Sequence, residues 1–217
     1  MKIWHNKENM QHPNIQIIEG ESSVLVSAPH AVPIVKTVNG RKYTRMAEKR
    51  VYEIVEKLNS KKNTWGIYTI SEGPLEGWQE DIYKKYKKIV KGLIKTNDIN
   101  LVLDIHGARR ERPFFIDYDF ILPHQYKHDT KLEKLFTEKF SYYFPKEKLS
   151  SGFYRDINGS GYKTLTYYTR KYLKKPAMQL EINKKLKDDD VKFKKLINML
   201  NDFLEDYENT IAGVQQK

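Results

Sequence analysis

Cysteine is absent from all 217 residues of the chain. Disulfides and thiolate chemistry are therefore excluded, and any bound metal must be held by histidine and carboxylate side chains. Long apolar runs are also missing, because none approaches the ~20 residues that span a bilayer. Residues 1–11 lack the apolar segment of a signal peptide. These absences predict a cytoplasmic protein that does not enter a membrane.

Positive charge is in excess, with 39 Lys and Arg against 28 Asp and Glu and a formal net charge of +11. A basic face can bind nucleic acid by neutralising phosphates, so a basic nucleic-acid-binding α/β protein without catalysis is one hypothesis. The lysines, however, form scattered short runs beside helical patterns, which is typical of solvated helix faces. The charge therefore favours a small anionic substrate over a nucleic acid.

Strand and helix patterns alternate along the chain, and its length suits a single domain over residues 1–217. Residues 31–43 read as a loop with a turn at Asn39-Gly40, and residues 146–161 as a hairpin or a mobile loop. Strands are predicted at 23–28, 66–70, 114–120 and 177–182, and a central one begins at Leu101. Helices are predicted at 44–58 with Thr44 as N-cap, 81–95, 131–143, 161–173 and 193–207. This alternation predicts an α/β fold of three layers, with a mostly parallel or mixed central sheet and helices on both faces.

The central strand ends abruptly in residues suited to chemistry. Its branched apolar start fits a strand buried on both faces, and Asp104 and His106 follow before three arginines. Ligands of α/β proteins bind in the crevice beyond the carboxyl ends of such strands. The sequence therefore predicts the functional site at this strand end.

Three potential metal ligands come from separate elements that can meet there. His30 follows the first strand, Glu48 shares the apolar face of the predicted helix 44–58, and His106 ends the central strand. Two histidines and one carboxylate suffice for a catalytic zinc site that keeps a position for water. Glu181, on the strand 177–182, is then free to act as general base.

Four short motifs resemble, in order and character, those of the N-formylglutamate amidohydrolase family. They are residues 27–31 (SAPHA), 47–48 (AE), 103–108 (LDIHGA) with 112–113 (RP) beyond, and 179–183 (QLEIN). The resemblance spans about residues 23 to 190, and the order of the motifs carries most of its specificity. This chain departs from the His-Ser-Gly sequence that is typical of the family, because its first histidine is followed by Ala31-Val32-Pro33.

The resemblance implies a phosphorylase/hydrolase-like fold shared with zinc carboxypeptidases and aspartoacylases. It also implies a hydrolase that uses one Zn²⁺ or another divalent metal to cleave an amide of an N-acyl amino acid, such as an N-formyl amino acid, or of a similar carboxylate-bearing substrate. By this match His30 and His106 are the zinc histidines and Glu181 is the general base. Glu48, 18 residues after His30, is the third ligand, with Glu53 or Asp104 as the substitute.

Arginines next to the central strand are candidates for binding the substrate. A guanidinium matches a carboxylate in two parallel hydrogen bonds, so we expect Arg109 and Arg112 to bind the free acid of the substrate or the oxyanion. Pairing with Asp117 or Asp119 is an equally good interpretation for each. Asp104 either orients His106 or lies on the other face of the strand. A zinc carboxypeptidase-like enzyme or a poly-glutamate hydrolase is the alternative activity on the same fold.

Overall fold

Runs of branched and aromatic residues form one large sheet at the centre of the molecule. The structure, a computed structural model, describes residues 12–77, 81–122, 129–153 and 164–215. The sheet contains β1 (Ile15–Ile18), β2 (Val24–Ala28), β5 (Trp65–Thr69), β6 (Leu101–Ala108), β7 (Ile116–Asp119), β8 (Leu149–Ser151) and β9 (Ala177–Asn183). A separate hairpin consists of β3 (Ile34–Val38) and β4 (Arg41–Arg45).

The large sheet is mixed, with the strand order β1-β5-β2-β6-β9-β7-β8. Its four central strands, β5, β2, β6 and β9, are parallel to one another. On either side β1 runs antiparallel to β5, and β7 runs antiparallel to β9. The carboxyl ends of β2, β6 and β9 therefore lie side by side, which is the geometry that gathers a site at one edge.

Helices cover both faces of this sheet. They are α1 (Val51–Lys62), α2 (Tyr83–Thr96), α3 (Asp129–Tyr143), α4 (Leu165–Tyr168) with a π-helical turn at Thr169–Leu173, α5 (Lys184–Lys187) and α6 (Asp190–Gln215). On one face α1, α3 and α6 share an apolar cluster with the even-numbered residues of β2, and on the other α2 and α4 share a second cluster with Leu25 and Val102. The three-layer α/β fold predicted from the sequence is confirmed. Within the described ranges no helix is both long enough and apolar enough to cross a bilayer.

The prediction of a helix over residues 44–58 is wrong at its start. Thr44 lies in β4 and caps no helix, and α1 begins at Val51 after Arg50, which has a left-handed φ of 65°. The prediction of a loop over 31–43 is wrong from residue 34 onward, because those residues build the hairpin, but its turn at Asn39-Gly40 is confirmed. Residues 154–163, within the segment expected to form a hairpin or a loop and at the start of helix 161–173, lie outside the described residues.

Candidate metal centre

Three side chains that can bind a metal converge beside the ends of β2 and β6. His30 follows β2, Glu48 lies between β4 and α1, and His106 is on β6. One ligand atom from each of the three lies within 4.8 Å of the others. The two imidazole rings are 5.2 Å apart between centroids. The sequence-predicted ligands are therefore neighbours, although they come from distant parts of the chain.

Backbone hydrogen bonds fix Glu48 beside the two histidines. Its amide donates to the carbonyl of His30 at 2.9 Å, so the chain returns to its starting point after the hairpin. The amide of Gly107 donates to Glu48 Oε2, also at 2.9 Å. Glu48 was expected on the inner face of a helix, but these contacts hold it in the segment before α1. It is nevertheless buried, with 7% of its surface exposed.

The orientation of His106 is set by a carboxylate on either side. Its Nδ1 lies 3.4 Å from Glu48 Oε2, and its Nε2 lies 3.3 Å from Asp104 Oδ2. Asp104 and His106 are two residues apart on β6 and so point to the same face of the sheet. The alternative that Asp104 faces away from His106 is thus wrong.

Asp104 is itself held by a buried network. The Ser27 hydroxyl donates to Asp104 Oδ1 at 3.1 Å and lies 2.9 Å from the Tyr86 hydroxyl. Tyr86 belongs to α2, so the network joins the helix layer to the sheet. A histidine that binds a metal through one nitrogen is commonly oriented by a carboxylate on the other. In this arrangement Nε2 of His106 faces Asp104, so Nδ1 is the nitrogen that could bind a metal.

The chemistry of the three groups, and the spacing of one pair among them, fit a zinc ion. Ligand atoms that are each about 2.0–2.1 Å from a tetrahedral ion lie roughly 3.4 Å apart. The 3.4 Å between His106 Nδ1 and Glu48 Oε2 equals that separation. Two imidazoles and one carboxylate also match the ligand sets of catalytic zinc sites, which leave one position open.

Electrostatics prepare these groups to bind a cation. Burial lowers the pKa of His30 well below its ordinary value, so this imidazole is neutral, the form in which histidine binds a metal. Burial alone would raise the pKa of Glu48, but His106, His30 and Arg45 lower it well below the usual range. Burial likewise opposes the charge on His106, yet Asp104 and Glu48 raise its pKa well above that of a free imidazole. A metal ion that binds here therefore displaces a proton from His106.

Glu181 lies next to this cluster on β9. It pairs in register with His106 of the neighbouring strand, and Gln179 donates to its Oε1 at 2.9 Å. Burial, together with the charge of Glu48, raises the pKa of Glu181 to about 7 although His106 lowers it. A carboxylate with such a pKa can both accept and release a proton near neutral pH.

The structure adds two cations that sequence reasoning missed. Arg45, at the end of β4, forms an ion pair with Glu48 Oε1. Lys187, at the end of α5, is only 2% exposed, and burial lowers its pKa while Glu48 and Glu181 act in the opposite direction. No periodic pattern in the sequence indicates that either residue lies at the site. Each lies at the end of a short element, β4 or α5, that only the tertiary fold brings next to Glu48. Their charges offset those of the buried carboxylates.

Gly107 makes room for these groups, and Gly107→Ala tests the packing. An added Cβ would lie 2.3 Å from Lys187 Nζ and 3.0 Å from Glu48 Cβ, so both side chains would have to move. We expect zinc to bind about tenfold more weakly, in the range found when a group that supports a ligand is lost. Gly73→Ala is the control, because its Cβ would meet nothing within 4 Å. Equal zinc affinity in both variants, measured by competition with a chromophoric chelator, would contradict this packing.

The remaining residues of the sequence-based prediction lie around the cluster. Arg109 is exposed in the segment after β6, and the guanidinium of Arg112 lies 5.5 Å from the centre of the Phe153 ring. Their binding of a substrate carboxylate stays a prediction. Glu53, the substitute considered for Glu48, instead pairs with Arg50 at 3.1 Å.

Comparison with known proteins gives a fold but no sequence relative. The sequence matches no protein-family model and no curated protein. The structure resembles N-formylglutamate amidohydrolase from Ralstonia eutropha, with a TM-score of 0.60 at 9% identity over 91% of this chain and 98% of that one. The chain shares the fold of that enzyme.

Two further solved structures agree with this fold. A bacteriophage poly-gamma-glutamate hydrolase matches with a TM-score of 0.56 at 11% identity, over 94% of this chain and 95% of that one. Succinylglutamate desuccinylase from Chromobacterium violaceum matches with a TM-score of 0.55 at 14% identity, over 88% of this chain and 67% of that one. The resemblance inferred from the sequence motifs is thereby confirmed at the level of the fold.

Proposed function

We propose that the protein is a metal-dependent hydrolase that cleaves an amide bond of an N-acyl amino acid or a similar carboxylate-bearing substrate. His30, Glu48 and His106 would hold one zinc ion or another divalent metal. The observation that carries this proposal is the convergence of their ligand atoms within 4.8 Å of one another, next to a buried glutamate. The named activities of two solved structures with this fold, an N-formylglutamate amidohydrolase and a succinylglutamate desuccinylase, support it.

The chemistry follows from the groups around the centre. A zinc ion bound there supplies a Lewis acid that polarises a carbonyl and lowers the pKa of water to about 7. Glu181 accepts the proton of the attacking water and returns it to the leaving nitrogen, as its pKa of about 7 permits. Gln179 holds one oxygen of Glu181 by its 2.9 Å hydrogen bond and so fixes the direction of the other. Asp104 keeps the His106 ring in the orientation that ligation needs.

The rate of hydrolysis should depend on the ionisation of Glu181. Only the ionised carboxylate accepts a proton, so kcat/KM should rise with pH until Glu181 is deprotonated and then level off. Because a nearby cation lowers the pKa of a carboxylate, the midpoint should lie below the value of about 7 found without metal but above about pH 5. The profile must be recorded at saturating zinc, since protonation of His106 weakens metal binding at low pH. A rate that stays constant between about pH 5 and 8 would contradict this role for Glu181.

A substrate panel tests the proposed activity directly. The purified protein, freed of metal with a chelator and then given zinc, would be assayed on N-formyl-L-glutamate, N-succinyl-L-glutamate, a γ-linked glutamate oligomer and a duplex DNA. We expect zinc-dependent release of amine from at least one of the acylated amino acids. Cleavage of the oligomer alone would point to the poly-glutamate alternative. DNA binding without hydrolysis of any amide would overturn the proposal in favour of a basic binding protein.

A further inference from the structure

Helix α2 carries a row of lysines on its solvent side. Its 14 residues include six lysines and no aspartate or glutamate, so the helix supplies more than half of the net charge of +11. Four of the six are exposed and follow one another at intervals of three or four residues, a spacing that places side chains on one face of a helix. These four residues, called the lysine row below, are Lys84, Lys88, Lys91 and Lys95.

The buried face of α2 holds the lysine row in a fixed direction. Its side chains belong to the apolar cluster on this side of the sheet, and they are Tyr86, Ile89, Val90, Leu93 and Ile94. With a rise of 1.5 Å per residue, the row extends about 16 Å along the helix, and its charges follow one another at about 4.5–6 Å. This straight and regular array of cations matches a linear polyanion.

Lysines on other helices are neutralised by acidic side chains. Lys62 of α1 pairs with Glu205 of α6 at 2.7 Å. Lys139 of α3 pairs with Asp206 of the same helix at 2.8 Å. In the ranges that the structure describes, no lysine of the row pairs with an acidic side chain. The row therefore differs from an ordinary solvated face in the absence of compensating charge.

Aromatic rings continue this basic surface on one side. Lys87 is three or four residues from two members of the row, and its Nζ lies 4.3 Å from the ring centre of Tyr83 and 5.4 Å from that of Tyr168. The ring of Tyr168 lies 5.8 Å from that of Tyr172, which is 61% exposed. Lys171 Nζ lies 5.7 Å from the Tyr172 ring. Cations and rings thus alternate from α2 to the π-helical turn.

This combination matches a single-stranded nucleic acid. Lysines neutralise successive phosphates, and an exposed aromatic ring stacks on an unpaired base. A duplex keeps its bases stacked inside and would make no use of Tyr172. An acidic polypeptide matches the charges but has no bases to stack. A membrane surface matches less well, because the apolar residues of α2 are buried in the core and cannot insert.

We propose that α2 and the adjacent π-helical turn bind single-stranded nucleic acid, with the lysine row along the phosphates and Tyr172 stacked on a base. This is a function additional to amide hydrolysis. None of these residues belongs to the group of His30, Glu48 and His106, so binding and hydrolysis can be measured separately on the same protein.

The salt dependence of oligonucleotide binding tests the lysine row. Fluorescence anisotropy would follow the binding of a labelled oligo-dT of about 12 nucleotides, within the usual site size for single strands. For single strands the logarithm of the affinity falls with the logarithm of the salt concentration, with a slope of about −0.7 per neutralised phosphate. Replacing the whole row by glutamine should therefore make the slope less steep by about 2.8 and weaken binding at low salt by at least about tenfold.

A second quadruple variant has the same net charge and serves as the control. It replaces four exposed lysines outside α2 by glutamine, namely Lys57, Lys131, Lys146 and Lys194. Its affinity for oligo-dT should stay within about twofold of that of the parent protein, with the same slope. Circular dichroism checks that both variants fold. Equal losses in the two variants would show that the diffuse charge of the protein binds the oligonucleotide, and would overturn the proposed surface.

Tyr172→Ala tests the stacking and the class of partner. Loss of one stacked base should weaken oligo-dT binding by about 5- to 150-fold and leave duplex binding within about twofold. Tyr142→Ala is the control, since Tyr142 is an exposed tyrosine of α3. Poly-L-glutamate, duplex DNA and phosphatidylserine vesicles should each compete more weakly than unlabelled oligo-dT. Equal competition by any of them, equal effects of the two tyrosine variants, or no binding of oligo-dT would overturn the proposal.

Discussion

Glu181→Gln is expected to retain zinc but to lose hydrolysis, with kcat lower by about 10²- to 10⁴-fold, the usual contribution of a general acid or base. The substitution keeps the size of the side chain and removes its ability to accept a proton. Glu181 is not one of the three grouped residues that could bind the metal, so the metal content should stay as in the parent protein. Stopped assays of amine release and metal analysis on the same sample measure both quantities.

Glu53→Gln is the matched control for that experiment. Glu53 is a carboxylate of the same size that pairs with Arg50 on the first turn of α1. Its substitution should leave kcat and zinc content unchanged. Turnover of Glu181→Gln close to that of the parent protein would mean that Glu181 is not the base.

His106→Ala should lose both metal and activity. In the proposed centre the ring would contribute Nδ1, and the two remaining side chains could not enclose the ion. We expect zinc affinity to fall by more than about 100-fold, beyond the loss of about 10- to 100-fold that follows removal of an outer partner. Competition with a chelator of known affinity measures the change, and circular dichroism checks that the sheet and helices persist.

Asp104→Asn gives the graded comparison for His106→Ala. It leaves the ring in place and removes the charge 3.3 Å from His106 Nε2. Zinc should bind about 10- to 100-fold more weakly, as is typical when the partner of a liganding histidine is lost. Retention of full zinc affinity in His106→Ala would contradict the ligand assignment.

The sequence predicted secondary structure best for the elements whose apolar residues are buried in the core. The continuous apolar runs of β6 and β9 predicted both strands, and the polar residues at their ends predicted where the site lies. The stripe of apolar residues in α6 likewise predicted that helix from its core-facing residues. In these elements the structure favoured by the local sequence is also the one that buries the apolar residues, so the pattern of apolar residues was sufficient to predict them.

Glu48 shows where the same reasoning fails. Its spacing from Val51 and Val55 fits a helix, and that pattern was extended backward through residues that form β4. Strand β4, with the sequence RKYTR, is polar and largely exposed, so no alternation of apolar residues marks it. The Asn39-Gly40 turn was the available signal, since such a pair between extended segments favours a two-residue hairpin.

Residues brought in by tertiary packing could not be predicted. Lys187 is six residues beyond Glu181, and only the sharp start of α5 returns its side chain to Gly107. That start is fixed by Asn183, whose side chain accepts from the amide of Lys185 at 2.8 Å. A run of lysines in the sequence suggests a solvated face. Its burial follows from a cap and a packing contact that no periodic pattern records.

The most direct test of the metal centre is diffraction at the zinc absorption edge from crystals of the protein grown with zinc. We expect one strong anomalous peak, about 2.0–2.2 Å from a nitrogen of His30, a carboxylate oxygen of Glu48 and Nδ1 of His106. The proposed metal centre would be contradicted if the zinc peak lay among other residues. It would also be contradicted if zinc bound fully at other sites of the protein while no peak appeared among these three side chains.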